Sequence, residues 1–419
     1  MDVVGARPVP PLTTAASPLY DPSRHEPLRE QAWDPARARA MIERIVEDAE
    51  ASFSPVTYWP AHPRDTEGRS TAPFHCLYFG ACGVIWTLYY LQARGFVRLR
   101  RDYEPFIEPL IPALRAWMGD DWARDHASYL MGETAPLLLA YWLRPSGDVA
   151  RKLEAAIASN IDNPTREFLW GAPGTLLAAH FLHEHTGEAR WADAFRDNVR
   201  KLESQLLWSD QHRCSYWTQD MYGRVTTYLG AGHGFAGNAF VIIRGRHLLD
   251  AGEWGRWKER IATTVRQTAT VDQRLANWRA FLEPPRLGMP LPVQWCHGAP
   301  GFLACLGDFP GDELDDLLLA AGELTWIAGP LTKGAYLCHG TGGNGYAFLK
   351  LHERTGDAKW LERARAFAMH GIGQSQAQAE EHRQMRYSLW TGDLGLAVYL
   401  ADCLDEGAAF PTFDVFFAR

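Results

Sequence analysis

Two short strings hold the residue types best suited to chemistry in this chain: Trp295-Cys296-His297-Gly298 and Leu337-Cys338-His339-Gly340. Each sets a thiol beside an imidazole, just ahead of a glycine that opens an apolar run. Thiolate and imidazole are the usual protein ligands of zinc. If the two pairs converge in space, they make a metal site with room for a substrate thiol. Either string alone reads equally well as a small buried cysteine.

The rest of the composition is compatible with such a site. The seven cysteines (76, 82, 214, 296, 305, 338 and 403) are odd in number and form no CxxC pair, which predicts reduced thiols in a reducing, cytoplasmic setting. With 42 Lys and Arg against 50 Asp and Glu the net charge is −8, and no basic block offers a surface for nucleic acid or an anionic membrane. No run approaches the length of apolar residues needed to span a bilayer. Residues 1–27, rich in Pro and Ala, lack the features of a signal peptide and read as an extended arm. Residues 28–419, within a chain that is 47% hydrophobic, read as one domain.

The elements that must position the two strings follow from a repeat. Gly-x-x-Gly followed by an apolar segment occurs at Gly80, Gly171, Gly234, Gly298, Gly340 and Gly392, and a seventh copy at Gly132 has Ala135 in place of the second glycine. The steps between first glycines are 52, 39, 63, 64, 42 and 52 residues, so the period is loose and insertions must lie in loops. The segments after the glycines are apolar all round, which predicts helices buried on every side. Pro136, Pro173 and Pro300 suit first helical turns. Between the copies lie amphipathic stretches, such as 38–51 with Met41, Ile42, Ile45, Val46 and Ala49 on one face. Alternating fully buried and half-buried helices, seven of each, predict an all-α fold: an α/α toroid of two concentric rings, with the glycine turns at one mouth of the inner ring.

With the repeat in place, the strings Trp295–Gly301 and Cys338–Leu349 resemble the zinc motifs of the lanthionine synthetase C-like family. Gly230-Ala231-Gly232-His233-Gly234-Phe235-Ala236-Gly237 is similar to that family's third signature, and the ending Phe410-Pro411-Thr412-Phe413 also looks like it. The family has two branches: cyclases that close thioether rings in lanthipeptide precursors, and stand-alone proteins that bind glutathione and add it to dehydroamino acids. Ser128 stands where the cyclases carry an aspartate, and Lys333 where the stand-alone proteins keep a lysine. Both features resemble the stand-alone branch.

The resemblance implies three zinc ligands: Cys296, Cys338 and His339. Two thiolates and a neutral imidazole leave one tetrahedral position for a substrate, where an entering thiol loses its proton. It also implies that His233 stabilises and protonates the enolate formed when a thiol adds to dehydroalanine or dehydrobutyrine, a role that suits a histidine near neutral pH. His297, next to a ligand, is then a supporting or substrate-facing group. Lys333 is implied to bind a carboxylate of glutathione or of the peptide. Arg383 and Arg386 both precede the last repeat, where the family has an arginine, and the register leaves the choice open. Cys76 and Cys82, with His75, read as buried thiols rather than a further metal pair. The carboxylates Glu133 and Asp393 could make a glycosidase-like pair, but this would leave the Cys-His strings idle. The expected activity is zinc-dependent thioether formation. A non-catalytic zinc- and glutathione-binding protein and a lanthipeptide cyclase remain the alternatives.

Overall fold

The computed structural model describes residues 19–66, 73–284 and 290–418. Residues 1–18, most of the expected arm, lie outside the described residues. The first helices are α1 (Pro35–Ala51), α2 (Pro63–Thr66), α3 (Ala81–Ala93), α4 (Leu110–Met118) and α5 (Thr134–Leu143). Next come α6 (Gly147–Asn160), α7 (Ala172–Thr186), α8 (Ala189–Ser204), α9 (Phe235–Arg244) and α10 (Ala251–Thr268). The last are α11 (Ala299–Leu306), α12 (Asp315–Ala328), α13 (Thr341–Thr355), α14 (Ala358–His382) and α15 (Asp393–Asp405).

The inner ring is α3, α5, α7, α9, α11, α13 and α15, each begun at a repeat glycine. Each packs on the next, and α15 packs back on α3, which closes the circle. These helices have no polar face: in α7 every residue from Ala172 to Leu182 is buried, and in α13 every residue from Thr341 to Leu351. The outer ring is α1, α4, α6, α8, α10, α12 and α14. In α1 only Ala38, Met41, Ile42, Ile45, Val46 and Ala49 are buried, the face expected from its spacing. Because α1 packs on α15, the start of the chain supplies the outer partner for its last inner helix.

The ring is not hollow. Phe410 stacks on Trp295 at 4.9 Å, Phe413 on Phe240 at 3.9 Å, and Phe416 lies 6.1 Å from Trp86. These partners belong to different sides of the ring, so the C-terminal segment fills its axis with aromatic side chains.

Three antiparallel hairpins interrupt the helices: β1 (Leu207–Ser209) with β2 (Cys214–Tyr216), β3 (Gln219–Met221) with β4 (Arg224–Thr226), and β5 (Ala269–Asp272) with β6 (Leu275–Trp278). They occupy the two longest steps of the glycine repeat, on either side of α9. No helix among the described residues is long and apolar enough to cross a membrane.

Candidate metal and proton-transfer centre

The residues two places ahead of the repeat glycines form a belt around the mouth. The Cys296 N–H donates to the Cys338 carbonyl at 3.0 Å, Cys338 to Trp390 at 3.0 Å, and Trp390 to Tyr78 at 3.1 Å. Tyr78 donates to Leu130 at 3.1 Å, Leu130 to Leu169 at 3.3 Å, and Gly232 to Cys296 at 3.1 Å. At the remaining step the Leu169 N–H turns to the Glu167 carboxylate, at 2.8 Å. Repeats distant in sequence thus meet at fixed register. Gly298 sits at φ 107°, a conformation that glycine adopts without strain, and a Cβ on Gly343 would lie 1.7 Å from the Leu337 carbonyl oxygen.

This register brings the two cysteines together. One ligand atom each from Cys296, Cys338 and His339 lie within 4.8 Å of one another, both cysteines being buried and His339 partly exposed. Gln294 Nε2 donates to Cys296 Sγ at 2.9 Å, and the Tyr78 hydroxyl hydrogen-bonds the Cys338 sulfur. A hydrogen bond from Cys338 holds the Cys296 thiol well below its ordinary pKa against the opposing effect of burial, helped by His297 and His339. The same shared proton, with burial, pushes Cys338 up. The amino ends of the inner helices open here, and their partial positive charge also favours a thiolate. Two soft sulfurs, one readily ionised, and an imidazole suit a divalent transition ion.

Beside this group, His233 Nδ1 donates to Glu167 Oε2 at 3.0 Å. The Glu167 side chain is wholly buried and also accepts from the Trp170 N–H at 2.7 Å, while the His233 side chain keeps 22% exposure. Burial works against the charged imidazole, but the Glu167 carboxylate, with a contribution from Cys296, outweighs it and raises the His233 pKa above its usual value. The His297 ring stacks on Tyr228 at 5.4 Å and lies 5.9 Å from His233, outside the three-ligand group.

The substrate-binding candidates separate. Lys333 is exposed, and its charge acts on Cys338. Arg386 is buried, bonds the Asp65 carboxylate through Nε at 3.0 and 3.1 Å, and lies 4.5 Å over the Tyr336 ring, which also meets the His339 ring at 6.3 Å. Arg383, by contrast, caps α14 at φ 52° and lines a separate cavity of about 420 Å3 with Arg44 and Asp48 of α1. Sequence reasoning missed Glu167, Gln294, Tyr78 and Asp65. For Glu167 a signal existed, since it stands four places ahead of Gly171, the register tested only at Ser128. Residues 19–29, partly expected as free arm, bind the rim: Glu26 donates its N–H to the Pro330 carbonyl at 2.9 Å, and Arg24 reaches Gln294.

Three comparisons bear on this arrangement. The family described as "Lanthionine synthetase C-like protein" matches residues 75–415. "Glutathione S-transferase LANCL1" of Danio rerio is 27% identical over 318 residues, 69% of this chain and 74% of the relative. "LanC-like protein GCL1" of Arabidopsis thaliana is 28% identical over 263 residues, 59% of this chain and 58% of the relative. Among solved structures, nisin cyclase superposes with a TM-score of 0.60 at 15% identity, covering 86% of this chain and 93% of its own. The matched span includes all seven copies of the glycine repeat and both Cys-His strings, the toroid is the fold of nisin cyclase, and the chain belongs to the lanthionine synthetase C-like family.

Proposed function

We propose that the protein adds a thiol, from glutathione or a peptide cysteine, across the double bond of a dehydroalanine or dehydrobutyrine residue, with zinc held by Cys296, Cys338 and His339. The observation that carries this reading is the convergence of those donors beside the His233–Glu167 pair. Zinc held by these residues would lower the pKa of an entering thiol and keep its sulfur nucleophilic near neutral pH.

The chain's own groups do the rest. As the carbon–sulfur bond forms at the β-carbon, the alkene electron pair moves toward the α-carbon and its carbonyl. His233, its pKa raised by Glu167, hydrogen-bonds the developing enolate and gives a proton to the α-carbon. The proton released by the thiol restores the imidazolium, so the step balances. Lys333, exposed at the mouth, meets a carboxylate of the thiol substrate, and His297 faces the substrate beside His233. Arg386 shares its charge with Asp65, so its part is to hold Tyr336 against His339. The name of the Danio rerio relative supports glutathione as the thiol. Seven unpaired cysteines fit a reducing cytoplasm.

The test incubates the protein with glutathione and a dehydroalanine-containing peptide and reads the adduct by mass. Adduct from wild type, lost in Cys338→Ala, supports the proposal. Zinc and glutathione bound without adduct identifies a binding protein. Ring closure within a dehydrated precursor, without glutathione uptake, identifies a cyclase.

A further inference from the structure

A second cluster of ligating side chains lies away from the Cys296 centre and shares no residue with it. One ring nitrogen each from His180 and His247, and a carboxylate oxygen of Glu184, lie within 4.8 Å of one another. His180 and Glu184 are one turn apart on the same face of α7. His247 follows the end of α9, in the short 3-10 turn Arg246–Leu248. His233 precedes this same helix, whose ten residues span about 15 Å. The cluster is therefore at the end of the toroid opposite the mouth.

The His180 ring is the telling member. It is 3% exposed, makes no hydrogen bond to any described residue, and its Nδ1 is enclosed without a partner. Its neighbours bond elsewhere: Arg244 donates through Nη1 to Asp308 at 3.1 Å and through Nη2 to the Asp414 carbonyl at 3.2 Å, its Nε being unpartnered, and His183 Nδ1 meets the Glu188 carbonyl at 3.2 Å. Glu184 and His247 are paired at 3.0 Å and are about half exposed. Ligand atoms around one tetrahedral ion at about 2.1 Å sit about 3.4 Å apart, a small adjustment from the present spacing. The carboxyl ends of α7 and α9 add negative partial charge, which favours a cation.

We propose that His180, Glu184 and His247 form a second metal site, which takes a divalent first-row transition ion such as Zn2+ and clamps the ends of α7 and α9. Two imidazoles and a carboxylate suit such ions rather than Ca2+ or Mg2+.

The experiment measures zinc per chain after loading with excess Zn2+ and dialysis. Wild type should retain two equivalents, and His247→Ala or Glu184→Gln, both at exposed positions, should retain one. In Cys338→Ala, added Zn2+ should still raise the melting temperature, and His247→Ala in that background should abolish the rise. Co2+ held by the second site should lack the sulfur-to-cobalt charge-transfer band that the cysteine centre gives. A single equivalent in wild type that Cys338→Ala removes and His247→Ala leaves in place overturns the proposal. So does a second equivalent that His247→Ala and Glu184→Gln leave in place, which would be an adventitious ion only.

Discussion

Glu167 Oε2 and His233 Nδ1 meet at 3.0 Å across 66 residues of sequence, at the step of the mouth belt where a carboxylate takes the place of a carbonyl. The pair gives the first prediction. In Glu167→Gln the main group that raises the His233 pKa is lost, and burial, opposed only by Cys296, then acts to lower it. The imidazolium is present below its pKa and disappears as pH rises through it. The alkaline limb of kcat/KM against pH should therefore move to lower pH. Near pH 7.5 the rate should fall by about 100-fold, the scale of a lost general acid. A profile superimposable on wild type would remove Glu167 from the mechanism.

Metal retention should grade with distance from the sulfurs. Cys296→Ala, Cys338→Ala and His339→Ala should each abolish tight zinc binding at this centre. Gln294→Ala and Tyr78→Phe, which remove hydrogen bonds to the two sulfurs, should weaken zinc by about 10- to 100-fold. Competition with a chromophoric chelator measures both classes. Unchanged affinity in the outer pair would mean that the belt alone orients the ligands.

Lys333→Ala should raise KM for glutathione about threefold to tenfold, as expected for losing one charge-assisted hydrogen bond to a partly solvated carboxylate. With cysteamine, a thiol without carboxylates, the same variant should match wild type. An equal loss with both thiols would place Lys333 in structural support rather than substrate binding.

Gly343→Ala should cost at least about 3 kcal/mol, because the new Cβ would lie 1.7 Å from the Leu337 carbonyl oxygen. Leu337 adjoins Cys338, so thermal unfolding and zinc affinity should fall together. A stable Gly343→Ala protein with normal zinc content would show that the mouth can relax there.

The two rings were legible because helical burial leaves a plain mark: segments apolar all round became the inner helices, and the stretch 38–51 buried the face its spacing marked. The hairpins were not, since strands of three or four residues carry too little alternation to register. Only the long steps of 63 and 64 residues hinted at them. The two Cys-His strings were readable as partners through their shared place ahead of the glycines, while the choice of Cys296, Cys338 and His339 over His297 came from the family resemblance. Glu167 carried a positional signal four places ahead of Gly171, but its meaning depends on His233 arriving across the β1–β4 insertion. Arg383 and Arg386 looked equivalent in sequence. The end of α14 at His382 separates them, leaving Arg383 exposed while the Arg386 N–H binds the Asp393 carboxylate at 2.8 Å.

The belt of main-chain bonds has an architectural consequence. The spacing of the two sulfurs depends on peptide groups and not on what each repeat carries beyond the ring. Chemistry and outline are thereby uncoupled. The hairpins are grafted on either side of α9, so the rim nearest His233 can be lengthened, trimmed or re-faced while the frame beneath keeps its dimensions.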